Sequence, residues 1–530
     1  MFGTRATLTA TLALGGFGLW HALGFMDTFN TTPPDAALWS PPPAQVTPTT
    51  ETRRVVVAVV DGLRLDRAEL LGFPADVGAR CVLDAQLPSY SRPNYVALLT
   101  GAPPWLSGVR TNDYVGETHL ETIFDVAAGA GWRIEAVADG TDWWGELFPH
   151  AFGAGSHFVP QDQFDPWIAT WAPGPGSLSL VHIVKADDVA HEEGVGSAYD
   201  AAVVAAGAQL RALWARLDPA HDTLFVTSDH GHIDRGGHGG PEQVVIETPL
   251  FVVGAGASSV REGCHGPNTD LAATIAALLG LPPPKASLGR VIWPVLDPAR
   301  VDMESAVART SRQQGALLSR LPLPPQPPAE GAGLVGGPGR SKLPVAVRPY
   351  AGERPVEFFP IALAIGLWLA LLLALLYITR RAKLTDTPVW PFVIRGVAYL
   401  VAYVGIVLGV EPTLSFSAVW LRGPWIMHMT ALTVAAAILA WALTWVLNNH
   451  LRQRPQRAAG WVLLMSALPF LIAAGVHGSL SGGPELGEPH AAFGLLVGDF
   501  ALLGGALTSL LLLAFDQLRR IRGTAEVANI

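Results

Sequence analysis

The first part of the chain alternates short apolar runs with longer segments of helical periodicity. The apolar runs have the length of strands and end in Asp or Gly; they cover residues 54–62, 132–140, 178–188, 222–231 and 248–257. Between them, segments such as 196–217 place apolar residues at helical spacing. This alternation predicts an α/β fold with a mostly parallel sheet sandwiched by helices. In such sheets, chemistry takes place at the carboxyl ends of the strands.

Other apolar segments are long enough to cross a bilayer. Residues 6–25 carry no charge and follow Arg5, which predicts an uncleaved signal anchor, with a cleaved signal peptide as the alternative. Further spans are predicted at 358–378, 391–410, 425–447, 459–476 and 491–515. Only 15% of the residues are charged, against roughly 25% in ordinary soluble domains. We therefore expect a helical transmembrane bundle in addition to the sheet domain.

Changes in composition divide the chain into segments. We predict an anchor at 1–30, a linker at 31–52, a catalytic domain at 53–300, a Pro/Gly-rich linker at 301–355, a five-helix transmembrane domain at 356–518 and a tail at 519–530. Arg and Lys are concentrated in the loops on one side of these spans. Because cytoplasmic loops carry the positive residues, both termini are expected in the cytoplasm and the sheet domain outside it.

The stretch LFVTSDHGHIDRGGHGG, residues 224–240, carries the strongest chemical signal. Asp229 and His230 follow a buried strand directly, and the glycines after them let the loop return His238 to the same point. Oxygen and nitrogen ligands that converge at a strand end suit zinc or a similar divalent ion. A histidine-rich surface loop is the alternative for this stretch alone.

Two further positions extend this pattern. Asp61 ends the first predicted strand, where it either joins the site or caps the next helix. Ser91 precedes Arg92 and Pro93, which places it at or near the start of a helix. A helix N-terminus stabilises negative charge on phosphate and on a serine alkoxide, although Ser91 could also be an ordinary capping residue.

The pair Asp187 and His191 has helical spacing, so a helix there would put both side chains on one face. Such pairs are frequent and carry little weight alone. Carboxylates and imidazoles nevertheless recur at the ends of successive predicted strands, beside a serine. The whole set predicts a catalytic metal centre.

Composition sets two further bounds. The net charge is −9, which gives no basic patch, so nucleic acid is not an expected partner. Cys81 and Cys264 are the only cysteines, too few for a thiolate metal cage. They either pair in an oxidising compartment or stay buried and unpaired.

These motifs resemble the alkaline phosphatase superfamily, in particular its type I phosphodiesterase/nucleotide pyrophosphatase branch. The greatest similarity is to the GPI ethanolamine phosphate transferases. It is carried by DGLRLD, SRPNYVALLTG, Asp187-x-x-x-His191, SDHGH followed by GGHGG, and NTDLAATIAALLGLPPP, and it covers about residues 54–295. The motif for sulfatase maturation would need Arg where Tyr95 stands, so a sulfatase is not expected.

The resemblance implies a site with two divalent ions, zinc in the family, although this ligand set also suits manganese. One ion would be held by Asp61, Asp229, His230 and the nucleophile Ser91; the other would be held by Asp187, His191 and His238. Asn112 lies where the family places an asparagine that binds a phosphoryl oxygen. An ordinary turn residue is the alternative for Asn112.

We therefore predict a membrane-bound phosphotransferase that moves phosphoethanolamine or a similar headgroup from a phospholipid to a glycolipid or glycan through a phosphoserine. The alternative is an extracytoplasmic phosphodiesterase or phosphatase, and a transporter or scaffold with a degenerate enzyme domain is disfavoured. Tethering to the membrane favours a lipid or lipid-linked glycan as the partner. Asp499, inside the last predicted span, either helps to dock a headgroup or pairs within the bundle.

Overall fold

The structure is a computed structural model, and it describes residues 4–27, 30, 39–41, 53–73, 78–140, 143–152, 156–260, 263–321, 390–410, 415–419, 422–447, 455–481 and 489–528. The chain forms two compact units: residues 30–349, the α/β unit, and residues 1–29 with 350–530, the helical unit. The predicted span at 358–378 and most of both predicted linkers lie outside the described residues.

The described part of the α/β unit contains a sheet of eight strands. They are β1 (Val55–Val60), β2 (Ala79–Asp84), β3 (Arg133–Asp139), β4 (Ser156–Val159), β5 (Ser177–Ile183), β6 (Thr223–Thr227), β7 (Glu247–Gly254) and β8 (His265–Pro267). Their order in the sheet is β4-β3-β5-β1-β6-β7-β2-β8. Every pairing is parallel except those of β7, which runs antiparallel to β6 and to β2.

Helices occur in both units. They are α1 (Thr4–Asp27), α2 (Ser91–Thr100), α3 (Pro104–Ser107), α4 (Ile123–Gly129), α5 (Trp143–Leu147), α6 (Pro149–Phe152), α7 (Gln161–Ile168), α8 (Lys185–Glu193), α9 (Ser197–Trp214), α10 (Gln243–Ile246), α11 (Asp270–Leu279), α12 (Met303–Leu318), α13 (Trp390–Val410), α14 (Arg422–Leu447), α15 (Pro455–Ser481) and α16 (Pro489–Ala528). Short 3₁₀ helices lie at Leu65–Leu71, Trp293–Val295 and Phe416–Ala418.

Strand β1 shows why the sheet is covered on both faces. All six of its residues are apolar and buried. Alternate side chains of a strand point to opposite faces, and here Val55, Val57 and Val59 pack into one apolar cluster while Val56, Ala58 and Val60 pack into another. The α/β fold with helices on both faces is confirmed, and most of its sheet is parallel.

The elements differ from the prediction in three places. The sequence does not predict strands β2, β4 and β8. Strands β4 and β8 are too short for an alternating pattern of apolar and polar residues to be recognised. The run predicted as a strand at 178–188 is a strand only to Ile183, and Asp187 lies in α8. Helix α12 occupies the start of the segment predicted as a linker, where Ala306 and Leu317 are buried in the core.

The two cysteines, whose pairing the sequence left open, form a disulfide. Cys81 lies in β2 and Cys264 immediately precedes β8, with the Cα atoms 4.7 Å apart. Because β2 and β8 are neighbours at one edge of the sheet, the bond holds this edge together across 183 positions of sequence.

In the helical unit, the described helices cover five of the six predicted spans. By length and composition, two stretches among the described residues are apolar enough to cross a membrane, Trp425–Ala442 and Phe493–Ile521. Helix α1 packs closely on α16. There is no room for a side chain at Gly15, where a Cβ atom would lie only 2.6 Å from the Cβ of Ala506. Close approach of this kind between helices depends on small residues.

Asp499 is fully buried in α16, and its Oδ2 atom lies 2.8 Å from Nδ1 of His21 in α1. Of the two roles considered for Asp499, pairing within the bundle is therefore the one with a visible partner. Its Oδ1 atom is also buried and makes no hydrogen bond among the described residues.

Candidate active site

The predicted site residues converge at one edge of the sheet. Asp61 follows β1, and Asp229 and His230 follow β6, which is the parallel neighbour of β1. The carboxyl ends of these strands meet, so residues distant in sequence are brought together. Ser91 is the first residue of α2, one position after the N-cap residue Tyr90. Asp187 and His191 lie in α8, and His238 lies in the loop after β6.

One group of side chains surrounds the serine; we call Ser91, Asp61, Asp229 and His230 the serine-side group. The Nε2 atom of His230 lies 3.1 Å from Ser91 Oγ, 3.1 Å from Asp229 Oδ2 and 3.5 Å from Asp61 Oδ1. All four side chains are at most 1% exposed. One hydroxyl, two carboxylates and one imidazole therefore face a common point.

A second group combines Asp187, His191 and His238; we call it the helix-side group. His191 Nε2 lies 3.4 Å from Asp187 Oδ2 and 3.1 Å from His238 Nε2. Asp187 and His191 are four residues apart in α8, so the predicted helical pairing of the two side chains is what the structure shows.

Backbone contacts determine which nitrogen of each loop histidine faces inward. Nδ1–H of His230 donates to the carbonyl of Gly231, and Nδ1–H of His238 donates to the carbonyl of Ser89, both at 3.1 Å. In each neutral ring the lone pair is then on Nε2, the atom that faces the other site residues. A second nitrogen fixed by a carbonyl is the usual setting of a metal-binding histidine.

The electrostatics of the site favour a bound cation. Burial, together with the charge of Asp61, raises the pKa values of Asp187 and Asp229 well above the ordinary value. Burial lowers the pKa of His191 to about 3 and that of His230 to about 4. The imidazoles are therefore neutral at pH 7 and do not offset the charge of the crowded carboxyl groups, so a bound cation is what would keep Asp187 and Asp229 ionised.

Unpartnered atoms support the same conclusion. Asp61 Oδ1 and Asp229 Oδ2 are buried, and neither makes a hydrogen bond within the part of the chain that the structure describes. Burial of a carboxylate oxygen without a partner is costly, and coordination to a metal removes that cost. The donor set of carboxylate oxygens and imidazole nitrogens, in two groups, therefore fits divalent ions such as zinc.

The start of α2 and a neighbouring turn surround the serine hydroxyl. Asn112 Nδ2 lies 3.5 Å from Ser91 Oγ, while Asn112 Oδ1 accepts a hydrogen bond of 3.0 Å from the backbone N–H of Arg92. Asn112 is thus both a turn residue and a neighbour of the serine. Its amide and the positive end of the α2 dipole are available to an anion bound at Ser91.

Sequence reasoning missed three residues that support the carboxylates. His182 in β5 donates through Nε2 to Asp61 Oδ2 at 2.9 Å, and the hydroxyl of Tyr95 donates to the same oxygen. Burial would raise the pKa of Asp61, but the hydrogen bond and charge of His182 help to lower it to about 2. The third residue, His232, donates to Asp187. A histidine inside an apolar strand was the available signal for His182.

A serine at a helix start, facing two groups of metal-type ligands at the edge of an α/β sheet, is an arrangement suited to metal-assisted phosphoryl transfer. Comparison with known proteins agrees. The chain is 27% identical over 277 residues to the human protein "GPI ethanolamine phosphate transferase 2, catalytic subunit", covering 46% of this chain and 28% of that protein. It is 28% identical over 213 residues to the human protein "GPI ethanolamine phosphate transferase 3, catalytic subunit", covering 37% and 19%. No family model matches the chain.

Solved structures with a similar fold include the C-terminal periplasmic domain of EcEptC from Escherichia coli, at 14% identity and a TM-score of 0.35, covering 49% of this chain and 90% of that one. Murine ectonucleotide pyrophosphatase/phosphodiesterase 5 matches at 15% identity and a TM-score of 0.34, covering 44% and 96%. The similarity to the GPI ethanolamine phosphate transferases that the motifs predicted is confirmed by these matches. The chain spans between about a fifth and just over a quarter of the length of the curated relatives it matches.

Proposed function

We propose that the protein is a membrane-bound, metal-dependent phosphotransferase that moves phosphoethanolamine or a similar headgroup from a phospholipid to a glycolipid or glycan. The observation that carries this proposal is the position of Ser91, whose hydroxyl lies 3.1 Å from His230 and faces two buried groups of carboxylates and imidazoles. The named relatives supply the headgroup and the class of acceptor.

Two divalent ions, zinc in the first instance, would be held by the serine-side group and by the helix-side group. When bound, they would supply positive charge that lowers the pKa of the Ser91 hydroxyl and neutralises the phosphoryl oxygens. The remaining functions belong to side chains of the protein. Asn112 donates to a phosphoryl oxygen, and the start of α2 adds its dipole.

The reaction proceeds in two displacements. Ser91 Oγ forms a bond to phosphorus, the bond from phosphorus to the diacylglycerol oxygen breaks, and the proton of the serine ends on that leaving oxygen. An acceptor hydroxyl then forms the new bond to phosphorus, the bond to Ser91 Oγ breaks, and the proton of the acceptor hydroxyl ends on Ser91 Oγ, which restores the serine. A covalent phosphoserine divides one difficult transfer into two easier ones.

A surface pocket shares the residue Asn112 with the site. A pocket of about 510 Å³ is lined by Arg92, Asn112, Tyr114 and Glu146, among others. The Nδ2 atom of Asn112 also lies 3.5 Å from Ser91 Oγ, so one side chain connects this pocket to the serine. We propose that the headgroup enters here.

The membrane arrangement is also a proposal. The sheet domain would lie outside the cytoplasm, with α1 retained as an anchor and both termini inside. Close packing of Gly15 and Gly18 against α16 supports retention of α1, because cleavage would expose that face of α16. The disulfide is consistent with an oxidising compartment. Mass spectrometry of the mature N-terminus tests retention directly, and a chain that begins after α1 would contradict it.

The transfer reaction is tested with purified full-length protein and phospholipid that carries a labelled headgroup, in the presence of a glycolipid acceptor. Label should appear in the acceptor, and acid-quenched protein should carry the headgroup phosphate on the peptide containing Ser91. The Ser91→Ala variant is the matched control and should show neither. Label found only in free headgroup phosphate would contradict transfer and identify a hydrolase instead.

A further inference from the structure

His232 lies inside the site but outside the predicted ligand set. It stands between His230 and His238 in the loop after β6, and its side chain is fully buried. With Asp187 and His191 it forms a cluster of the kind that could hold a metal ion. Whether His232 is a ligand or has another role depends on which of its nitrogens carries the proton.

The backbone of Gly237 determines the location of that proton. The N–H of Gly237 points at Nδ1 of His232, with 3.1 Å between the two nitrogens. A backbone amide can only donate, so Nδ1 must accept and cannot itself carry a proton. A neutral ring with a bare Nδ1 has its proton on Nε2.

Among the residues that the structure describes, that Nε2–H group has one acceptor at short range, Asp187 Oδ1, at 2.8 Å. The other oxygen, Asp187 Oδ2, faces His191 Nε2 at 3.4 Å. His232 therefore engages one oxygen of the carboxylate and leaves the second directed toward the helix-side group. In His230 and His238 the arrangement is reversed, because their Nδ1 atoms face carbonyls and their Nε2 atoms are bare.

From this contrast we infer that His232 is not a metal ligand but a positioning residue, which orients Asp187 for the ion of the helix-side group. The inference rests on the metal centre of the proposed function. Coordination through Nε2 would require the proton to move to Nδ1, where it would face the N–H of Gly237. Ligand carboxylates are commonly held by such hydrogen bonds, and their loss typically costs 10- to 100-fold in metal affinity.

The surrounding backbone is built around this contact. Gly62 has φ of +66°, and a Cβ atom there would lie 2.5 Å from His232 Nε2 and 3.0 Å from Asp187 Oδ1. The turn that presents the N–H of Gly237 is closed by a hydrogen bond of 3.0 Å from Ile233 N–H to the carbonyl of Gly237. Both features restrict the ring of His232 to one position.

Metal titration of the full-length protein tests the inference without reference to transfer activity. The variants are His232→Gln, which keeps an N–H donor at the same distance along the side chain, and His232→Leu, which removes it. His238→Gln serves as the ligand reference, and the exposed His119→Gln serves as the surface control. Zn²⁺ affinity is measured by competition with a chromophoric chelator, and the Co²⁺ absorption spectrum reports the ligands themselves.

We expect His232→Leu to lower the affinity for one of the two Zn²⁺ ions by about 10- to 100-fold. The Zn²⁺ affinity of His232→Gln should stay within about threefold of that of the wild type, and its Co²⁺ spectrum should be unchanged. His238→Gln should lose one equivalent and alter the spectrum. If His232→Gln instead behaves like His238→Gln, His232 is a ligand and the inference is overturned. Wild-type affinity in His232→Leu would overturn it as well, and a hydrolase outcome in the transfer assay would leave it intact.

Discussion

The two ligand groups of the site are held in different ways. In the serine-side group, Asp61 directly follows β1 and Asp229 lies two residues after the end of β6; these strands are paired, with Val59 opposite Thr227. The sheet itself therefore sets the separation of these carboxylates. In the helix-side group, the ligands come from a nine-residue helix and from a glycine-rich loop. Less of that geometry is set by secondary structure, so more of it depends on side-chain contacts.

Each group nevertheless has one carboxylate oriented by a histidine outside the predicted ligand set. His182 donates to Asp61 from within β5, and His232 donates to Asp187 from the loop. The loop histidine needs two supports of its own, the N–H of Gly237 and the open space at Gly62. We expect the helix-side group to be the more easily disturbed of the two.

Removal of the nucleophile should have the largest effect on activity. Ser91→Ala is expected to lower turnover by at least about 10³-fold, because no covalent intermediate can form. The helix-side group does not include Ser91, so one Zn²⁺ equivalent should bind as in wild type. Turnover and metal content measured on the same preparation check this. Loss of both equivalents would show that the two groups are not separable.

Gly62→Ala should have the second-largest effect on activity, and it should act through the helix-side group. The new Cβ atom would collide with His232 and approach Asp187, and φ of +66° is itself unfavourable for alanine. We expect about a 10²-fold loss of turnover and weaker binding of one Zn²⁺ equivalent. Turnover and chelator competition are the measurements. Gly280→Ala is the control, since that glycine has a similar φ of +72° but its Cβ would meet no atom within 4 Å; an equal loss there would contradict the explanation.

His182→Phe should have a smaller effect, and on the other group. Phenylalanine keeps an aromatic ring against Trp144 but cannot donate to Asp61, which retains the hydrogen bond from Tyr95. We expect about a tenfold loss of affinity for one Zn²⁺ equivalent. In the double variant His182→Phe/His232→Leu, the affinities for the two Zn²⁺ ions should each fall as in the single variants, as followed by Zn²⁺ titration. Strong non-additivity would contradict the division into two groups.

Asp270→Asn should change stability and leave turnover nearly unchanged, because Asp270 belongs to neither group. Burial raises the pKa of Asp270 to about 7. The folded state then binds the proton more tightly than the unfolded state, so the free energy of unfolding falls as pH rises from about 4 to about 7. Asparagine can still accept from the N–H of Arg290.

Between about pH 5 and about pH 8, the free energy of unfolding of the wild type should fall by about 1–3 kcal/mol more than that of the Asp270→Asn variant. Thermal unfolding in detergent at several pH values measures this difference. Parallel pH profiles for the two proteins would show that Asp270 is not the titrating group.

How much the sequence predicts differs between the two groups. Asp61, Asp229 and His230 end apolar strands, so the topology of a parallel sheet already places them together. Helical spacing pairs Asp187 with His191 correctly, although the predicted strand before them extends too far, beyond Ile183. What no spacing rule supplies is the role of His232, because it depends on whether a carbonyl or an N–H faces Nδ1. That information exists only in the folded loop.

The bond between Cys81 and Cys264 closes a ring of chain that contains Ser91, helix α8 and the whole loop after β6. Of the proposed metal ligands, only Asp61 lies outside this ring. In the loop-entropy picture, closing a ring of this size stabilises the native state by on the order of 5 kcal/mol. A chain that folds before an oxidant reaches it lacks this closure. We therefore expect the newly made, reduced polypeptide to complete the proposed metal site only after it reaches an oxidising compartment, which under the proposed topology lies across the membrane.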